Sequence, residues 1–161
     1  MRGCRVALVS MSMCAAGFAQ GAASLTIRGA VEHPLELQVS ELEKMARTRV
    51  EVKDHDGSQA TYEGVLVAEL LKSAGSPMGE KMRGANMASY ALASAKDGYR
   101  VIFALAELDP GFSDSKIIVA FARNGKPLAE GQGPLRIIAP ADKRPARWIR
   151  MLESIEVVKA P

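Results

Sequence analysis

The chain has 161 residues, of which 48% are apolar, 24% charged and only 5% aromatic. That length suits one domain with a real core. A formal charge of +3 excludes the strongly basic balance of a general nucleic-acid binder.

The N-terminus opens on MRGCR, two arginines without an acid, followed by the apolar or small run VALVSMSMCAAGF. Gly17 and Ala19 place small residues at the −3 and −1 positions of a cut before Gln20, so residues 1–19 read as a secretory signal peptide. The run is too short for an ordinary transmembrane span. An uncleaved anchor is the rival reading, and Gly21-Ala22-Ala23 offers a second cut before Ser24. A lipoprotein site at Cys14 is opposed by the bulky Met13 before it. Cleavage removes both cysteines, Cys4 and Cys14, and with them any disulfide, thiol nucleophile or thiolate metal ligand. The exported chain, periplasmic or secreted, is then within one charge of neutral.

Ser24 to Val31 alternates as a strand, and residues 34–39 read as a second extended piece. Ser40 and Glu43 have capping-box spacing and predict a short helix to about Ala46. TRVEVK at 48–53 alternates again, and Asp56-Gly57 is a hairpin signal before the return strand QATYEG. Residues 65–75 form an amphipathic helical pattern closed by Gly75. Residues 76–87 read as loop or a loose helical turn. Residues 88–99 and 100–105 then read as two strands around Asp97-Gly98. After a polar connection, 116–122 is a strand buried on both faces, and Asn124-Gly125 turns it. RIIAP and residues 154–159 are the last strands, with Pro145 suited to the first turn of a short helix between them. The mixture predicts an α+β fold with a mixed sheet. No glycine-rich phosphate loop is present, which excludes the usual nucleotide folds.

Little chemistry is written in motifs. His55 lies between two aspartates, but the other histidine, His33, stands at no zinc spacing. No serine-elbow motif is present. Glu107 and Asp109 stand as a pair of acids, but ELDPG reads first as a turn. Asp97-Gly98-Tyr99 is a turn whose carboxylate and ring also suit a flat nitrogen heterocycle, through paired N–H bonds and stacking. PADKRPARWIR, residues 140–150, sets Lys143, Arg144, Arg147 and Arg150 around the single tryptophan, Trp148. Such a cluster serves a nucleic acid, an anionic planar ligand, or plain solvated surface. The scarcity of other aromatics, and export, argue against nucleic acid.

These segments, in this order and spacing, resemble small stand-alone relatives of the oxidoreductase molybdopterin-binding domain, the sulfite-oxidase-type fold. The resemblance covers about 24–158 and sets the domain at 24–159. It runs through LTIRGAVEHPLELQVSELEKM, YEGVLVAELLKSAG, AKDGYRVIFALAELD and ARNGKPLAEGQGPLRIIAPADKRPARWIRMLESIEV. It implies an α+β fold around a curved sheet, with a pterin at loop ends. Its catalytic members hold molybdenum through a cysteine before the GV-L--LL helix, where this chain has Lys53, Asp54 and His55. The resemblance therefore implies a pterin or molybdopterin-like ligand without a metal, and a binding protein rather than an enzyme. The alternative is an accessory or degenerate component of a molybdopterin-dependent oxidoreductase system. The implied partners are the ligand and a membrane receptor or oxidoreductase, with no nucleic acid. Mapped onto this chain, the ligand site comprises Gly133, Pro134, Arg136, Lys143, Arg144, Arg147 and Trp148. Asp97 and Tyr99 are added from their residue types. In this reading Trp148 stacks the ring, Arg144 and Arg147 meet its oxygens, and Asp97 takes its amino edge.

Overall fold

The computed structural model describes residues 23–54 and 56–161. The signal-peptide reading of 1–19 and the reading of His55 fall outside the described residues. In chain order the elements are β1 (Ser24–Gly29), β2 (Leu35–Gln38), α1 (Val39–Leu42), β3 (Thr48–Lys53), β4 (Gln59–Leu66) and α2 (Val67–Ser73). There follow β5 (Ser89–Ala95), β6 (Arg100–Ala104), α3 (Leu105–Leu108), β7 (Ile118–Arg123), β8 (Lys126–Pro127), β9 (Arg136–Ile138) and β10 (Leu152–Lys159). Single 3₁₀ turns lie at Gly79–Lys81, Gly84–Ala88 and Pro145–Arg147.

The α+β class expected from the sequence is found, arranged as two five-stranded sheets among the described residues. One runs β2-β1-β10-β5-β6; the other runs β3-β4-β7-β8, with β9 also on β7. The first sheet is antiparallel except where the two chain ends meet, β1 running parallel to β10. On its inner face β5 presents Ala91 and Ala93 opposite the bulkier Phe103 and Val101 of β6, and Val157 and Ile155 of β10. The small side chains of the inner strand leave room for those neighbours, so both rows are buried. They join Val50, Tyr62, Val119 and Ile137 of the second sheet, and Leu70 and Leu71 of α2, in one apolar cluster. Full burial of a side chain such as Phe103 contributes roughly 1.5–3 kcal/mol.

Several boundaries move for physical reasons. The first helix starts two residues early, at Val39, because Gln38 rather than Ser40 is its N-cap. The Gln38 amide donates to Glu41 Oε2 at 2.7 Å, so Glu41 takes the role expected of Glu43. The helix expected from Val65 starts at Val67, since Val65 and Leu66 pair with Val119 and Ile118. Gly64 is required just before them: a Cβ there would meet the Val119 carbonyl oxygen at 2.1 Å, beside the irregularity in the β4–β7 ladder. The polar connection after β6 contains a helical turn, α3, whose Glu107 carboxylate accepts from the Ala104 amide at 2.9 Å. The hairpin turns fall where expected. Gly98 and Gly57 have positive φ, and Asn124-Gly125 carries positive φ at both residues.

Candidate functional site

A cavity of about 390 Å³ lies where the β5–β6 turn meets the connections on either side of β9. Its wall includes Asp97, Tyr99, Gln132, Arg136, Trp148 and Arg150. Asp97 opens the β5–β6 turn, and its Oδ1 accepts from the Tyr99 amide at 3.0 Å, leaving the second carboxylate oxygen for another donor. Tyr99 is 50% exposed. Its hydroxyl donates to the Ala146 carbonyl at 2.8 Å, which pins the ring against the 3₁₀ turn at Pro145–Arg147.

The cavity is floored by a buried polar network. Arg136 begins β9, where Ala120 of β7 pairs with it, and β7 in turn pairs with β4, which carries Tyr62. Arg136 Nη1 donates to the Tyr62 hydroxyl at 3.0 Å and to Gln132 Oε1 at 2.9 Å. Tyr62 donates in turn to Asp54 Oδ2 at 2.7 Å. Asp54 also faces Arg123 at 3.4 Å and Arg136 at 4.0 Å. The Arg136 guanidinium lies over the Tyr62 ring, 5.5 Å from its centroid, and over the Trp148 ring at 5.8 Å. Its Nε is buried without a hydrogen-bond partner. Burial lowers the Arg136 pKa, and the Tyr62 and Asp54 charges oppose that shift. Burial also raises the Tyr62 pKa, helped by its hydrogen bond to Asp54.

Of the residues singled out from the sequence, Asp97, Tyr99, Arg136 and Trp148 come together here. The others do not. Lys143 and Arg144 are exposed away from the cavity wall. Arg147 is turned to the edge of the first sheet. Its Nε and Nη2 donate to the two carboxylate oxygens of Asp142 at 2.9 and 2.6 Å, and its Nη1 donates to Glu107 Oε1 at 2.9 Å. It also lies over the Phe103 ring at 4.6 Å and reaches the Ile102 carbonyl at 3.5 Å. The Asp142 hydrogen bonds raise its pKa against the opposing effect of burial, and Glu107 raises it further. Arg147 thus fastens the 142–147 segment over strand β6 and has no fork left for a ligand.

Trp148 needs a second correction. It is only 5% exposed. Its Nε1 donates to the Ala139 carbonyl at 2.9 Å, and Tyr62 meets it edge-on at 6.4 Å between centroids. With Arg136 over the ring as well, no free indole face is offered for stacking. Tyr99 is the aromatic exposed on the cavity wall. The acids Glu107 and Asp109 are also no catalytic pair. Glu107 holds Arg147, while Asp109 accepts from the backbone amides of Gly79 and Gly111.

Gln132, Tyr62 and Arg150 were not among the site residues expected from the sequence. Arg150 was legible as part of the basic cluster. Gln132 and Tyr62 carried no local signal, because their partners come from other elements.

A family model described as the oxidoreductase molybdopterin binding domain matches residues 18–161. The sulfane dehydrogenase SoxCD from Paracoccus pantotrophus has a similar fold, with a TM-score of 0.68 and 18% identity. The match covers 86% of this chain and 38% of that one, so this chain spans well under half of its structural neighbour. No curated protein matches the sequence. The cavity suits the pterin portion of such a cofactor, offering a half-exposed ring, a carboxylate and a buried arginine with an unpaired donor. Among the described residues no cysteine is available to hold a metal, and the end of β3 presents Asp54, engaged by Tyr62 and Arg123.

Proposed function

The chain belongs to the oxidoreductase molybdopterin binding domain family, and from that premise we propose that it is an exported, non-catalytic binding protein for a pterin-type heterocycle. The observation that carries this reading is the meeting of Asp97, Tyr99, Gln132 and Arg136 at one cavity. Tyr99 stacks the ring, the free oxygen of Asp97 accepts from its amino edge, and Gln132 and Arg136 meet its polar substituents. Asp54 stands near the position the family's metal-holding cysteine would take, and its carboxylate holds the arginine network instead. The occupied state would be reported to a membrane receptor.

The second reading is an accessory component of a molybdopterin-dependent oxidoreductase, favoured by the family itself. Native mass spectrometry of the protein purified from the periplasm, with metal analysis, separates the two. A copurified pterin without stoichiometric molybdenum supports the first. Copurified molybdopterin, without redox turnover by the chain alone, supports the second, and about one molybdenum per chain with turnover overturns both. No affinity for reduced or oxidised pterins removes the first. Export is checked by N-terminal sequencing, with Gln20 the expected first residue; Met1 retained on a membrane-bound chain overturns it.

A further inference from the structure

We propose that a second cavity, at the C-terminal end of α2, is a binding site for a primary alkylammonium group. The inference is independent of the pterin-type reading, since the two cavities share no wall residue.

This cavity, of about 410 Å³, lies where α2 and the 75–81 segment meet the residues that follow α3. Its buried polar members are Asp109, 2% exposed, and Ser76, 6% exposed. The Ser76 Oγ has no hydrogen-bond partner. A buried hydroxyl in that state is unfavourable, and a polar group on a ligand relieves it. Asp109 Oδ1 accepts from the Gly111 amide at 2.8 Å, and its Oδ2 accepts from the Gly79 amide. A carboxylate oxygen has room for about two donors, so each oxygen keeps an acceptor site.

Charge gives the sign of the ligand. Among the described residues Asp109 has no ion-pair partner, and its hydrogen bonds go to backbone amides. Buried charges are ordinarily paired. At the exposed rim the charges already cancel. Lys81 Nζ donates to Glu32 Oε1 at 2.7 Å, and Glu69 stands three residues before Lys72 on α2. The charge left over is the buried one. An alkylammonium carries one positive charge and three N–H donors, which match the open sites of Asp109 and the Ser76 oxygen. A bare metal ion suits the cavity less, since no metal-holding group of three or more His, Cys, Asp or Glu side chains occurs among the described residues.

The rest of the wall suits a methylene chain. Ala68, Met78 and Pro110 supply apolar surface beside the acid. Ala68 and Pro110 also bound an adjacent recess of about 210 Å³, whose wall includes Leu66, Leu108 and Ile117. An amine seated on Asp109 lays its tail across Ala68 and Pro110 toward that recess.

Titration of the isotope-labelled full chain at neutral pH, followed by nuclear magnetic resonance, tests this. The Gly79 and Gly111 amides report the site, because both donate to Asp109. n-Hexylamine is expected to shift both resonances. It should bind at least about tenfold tighter than 1-hexanol, which lacks the charge, and than hexyltrimethylammonium, which lacks the N–H donors. Methylamine should be at least about tenfold weaker as well, since each buried methylene strengthens binding several-fold. Ser76→Ala should weaken hexylamine about threefold or more with the melting temperature unchanged, because the hydroxyl removed has no partner in the fold. Asp109→Asn should abolish binding; if that variant fails to fold, Ser76→Ala decides. Glu69→Gln should lose less affinity than Ser76→Ala, and a larger loss moves the amine to the rim and overturns the site. Unmoved Gly79 and Gly111 resonances overturn it too. So does equal affinity for hexylamine and any of the three comparison probes, or wild-type affinity in Ser76→Ala.

Discussion

Arg136 and Arg147 lie close together in sequence, yet they occupy opposite electrostatic situations. Arg147 sits at the sheet edge with two carboxylates, a carbonyl and an aromatic face around one guanidinium. Arg136 sits on a cavity wall, shares one distant carboxylate with Arg123, and keeps a buried donor unpaired. The first is satisfied within the fold and is structural. The second is incompletely satisfied, on a residue that lines the cavity. Charge density along the chain did not distinguish them; what separates them is how many acids the fold brings to each.

The comparison can be broken most forcefully at Trp148, which lies beneath Arg136. Trp148→Ala should destabilise the protein by about 3–5 kcal/mol, since it empties a large buried volume and frees the Ala139 carbonyl. Thermal unfolding measures it. A loss of pterin affinity with an unchanged melting temperature would instead restore the indole as a stacking surface.

Arg136→Met is expected to cost about 3 kcal/mol, at the low end for breaking a buried charged contact, because Arg123 remains beside Asp54. Denaturant unfolding of this variant beside Arg147→Met sharpens the contrast. The Arg136 change should also abolish ligand binding, and the Arg147 change should not.

Tyr62→Phe removes the hydroxyl that links Asp54 to Arg136, at about 1–2 kcal/mol. The change should also alter the pH profile. The folded-state pKa of Tyr62 is raised, so the unfolded chain gives up this proton first. The stability it confers is complete below the ordinary tyrosine value of about 10 and declines as pH rises toward the folded value. Unfolding free energies measured across that range should fall less steeply for Tyr62→Phe than for the wild type.

The smallest effect belongs to Arg147→Lys. The planar fork to Asp142 is lost, but the site is partly solvated, and a change of no more than about 1 kcal/mol is expected. Ligand affinity should be unchanged. A several-fold loss of pterin affinity in folded Arg147→Lys would erase the distinction between the two arginines.

The sequence by itself determined the strand order along the chain and the turns. Alternation in TRVEVK and the Asp97-Gly98 and Asn124-Gly125 pairs act between residues a few positions apart, so they can be read without a fold. It also determined the family resemblance and singled out Asp97, Tyr99 and Arg136, which line one cavity. Only the tertiary structure decided which cations line it. Arg147 met Glu107 because β6 and the 142–147 segment lie side by side, and Arg136 met Tyr62 because β9 joins the sheet of β4. Side-chain partners of that kind are set by sheet order and register across long separations. The depth at which Trp148 is buried is set in the same way, and no local pattern of residue types encodes either.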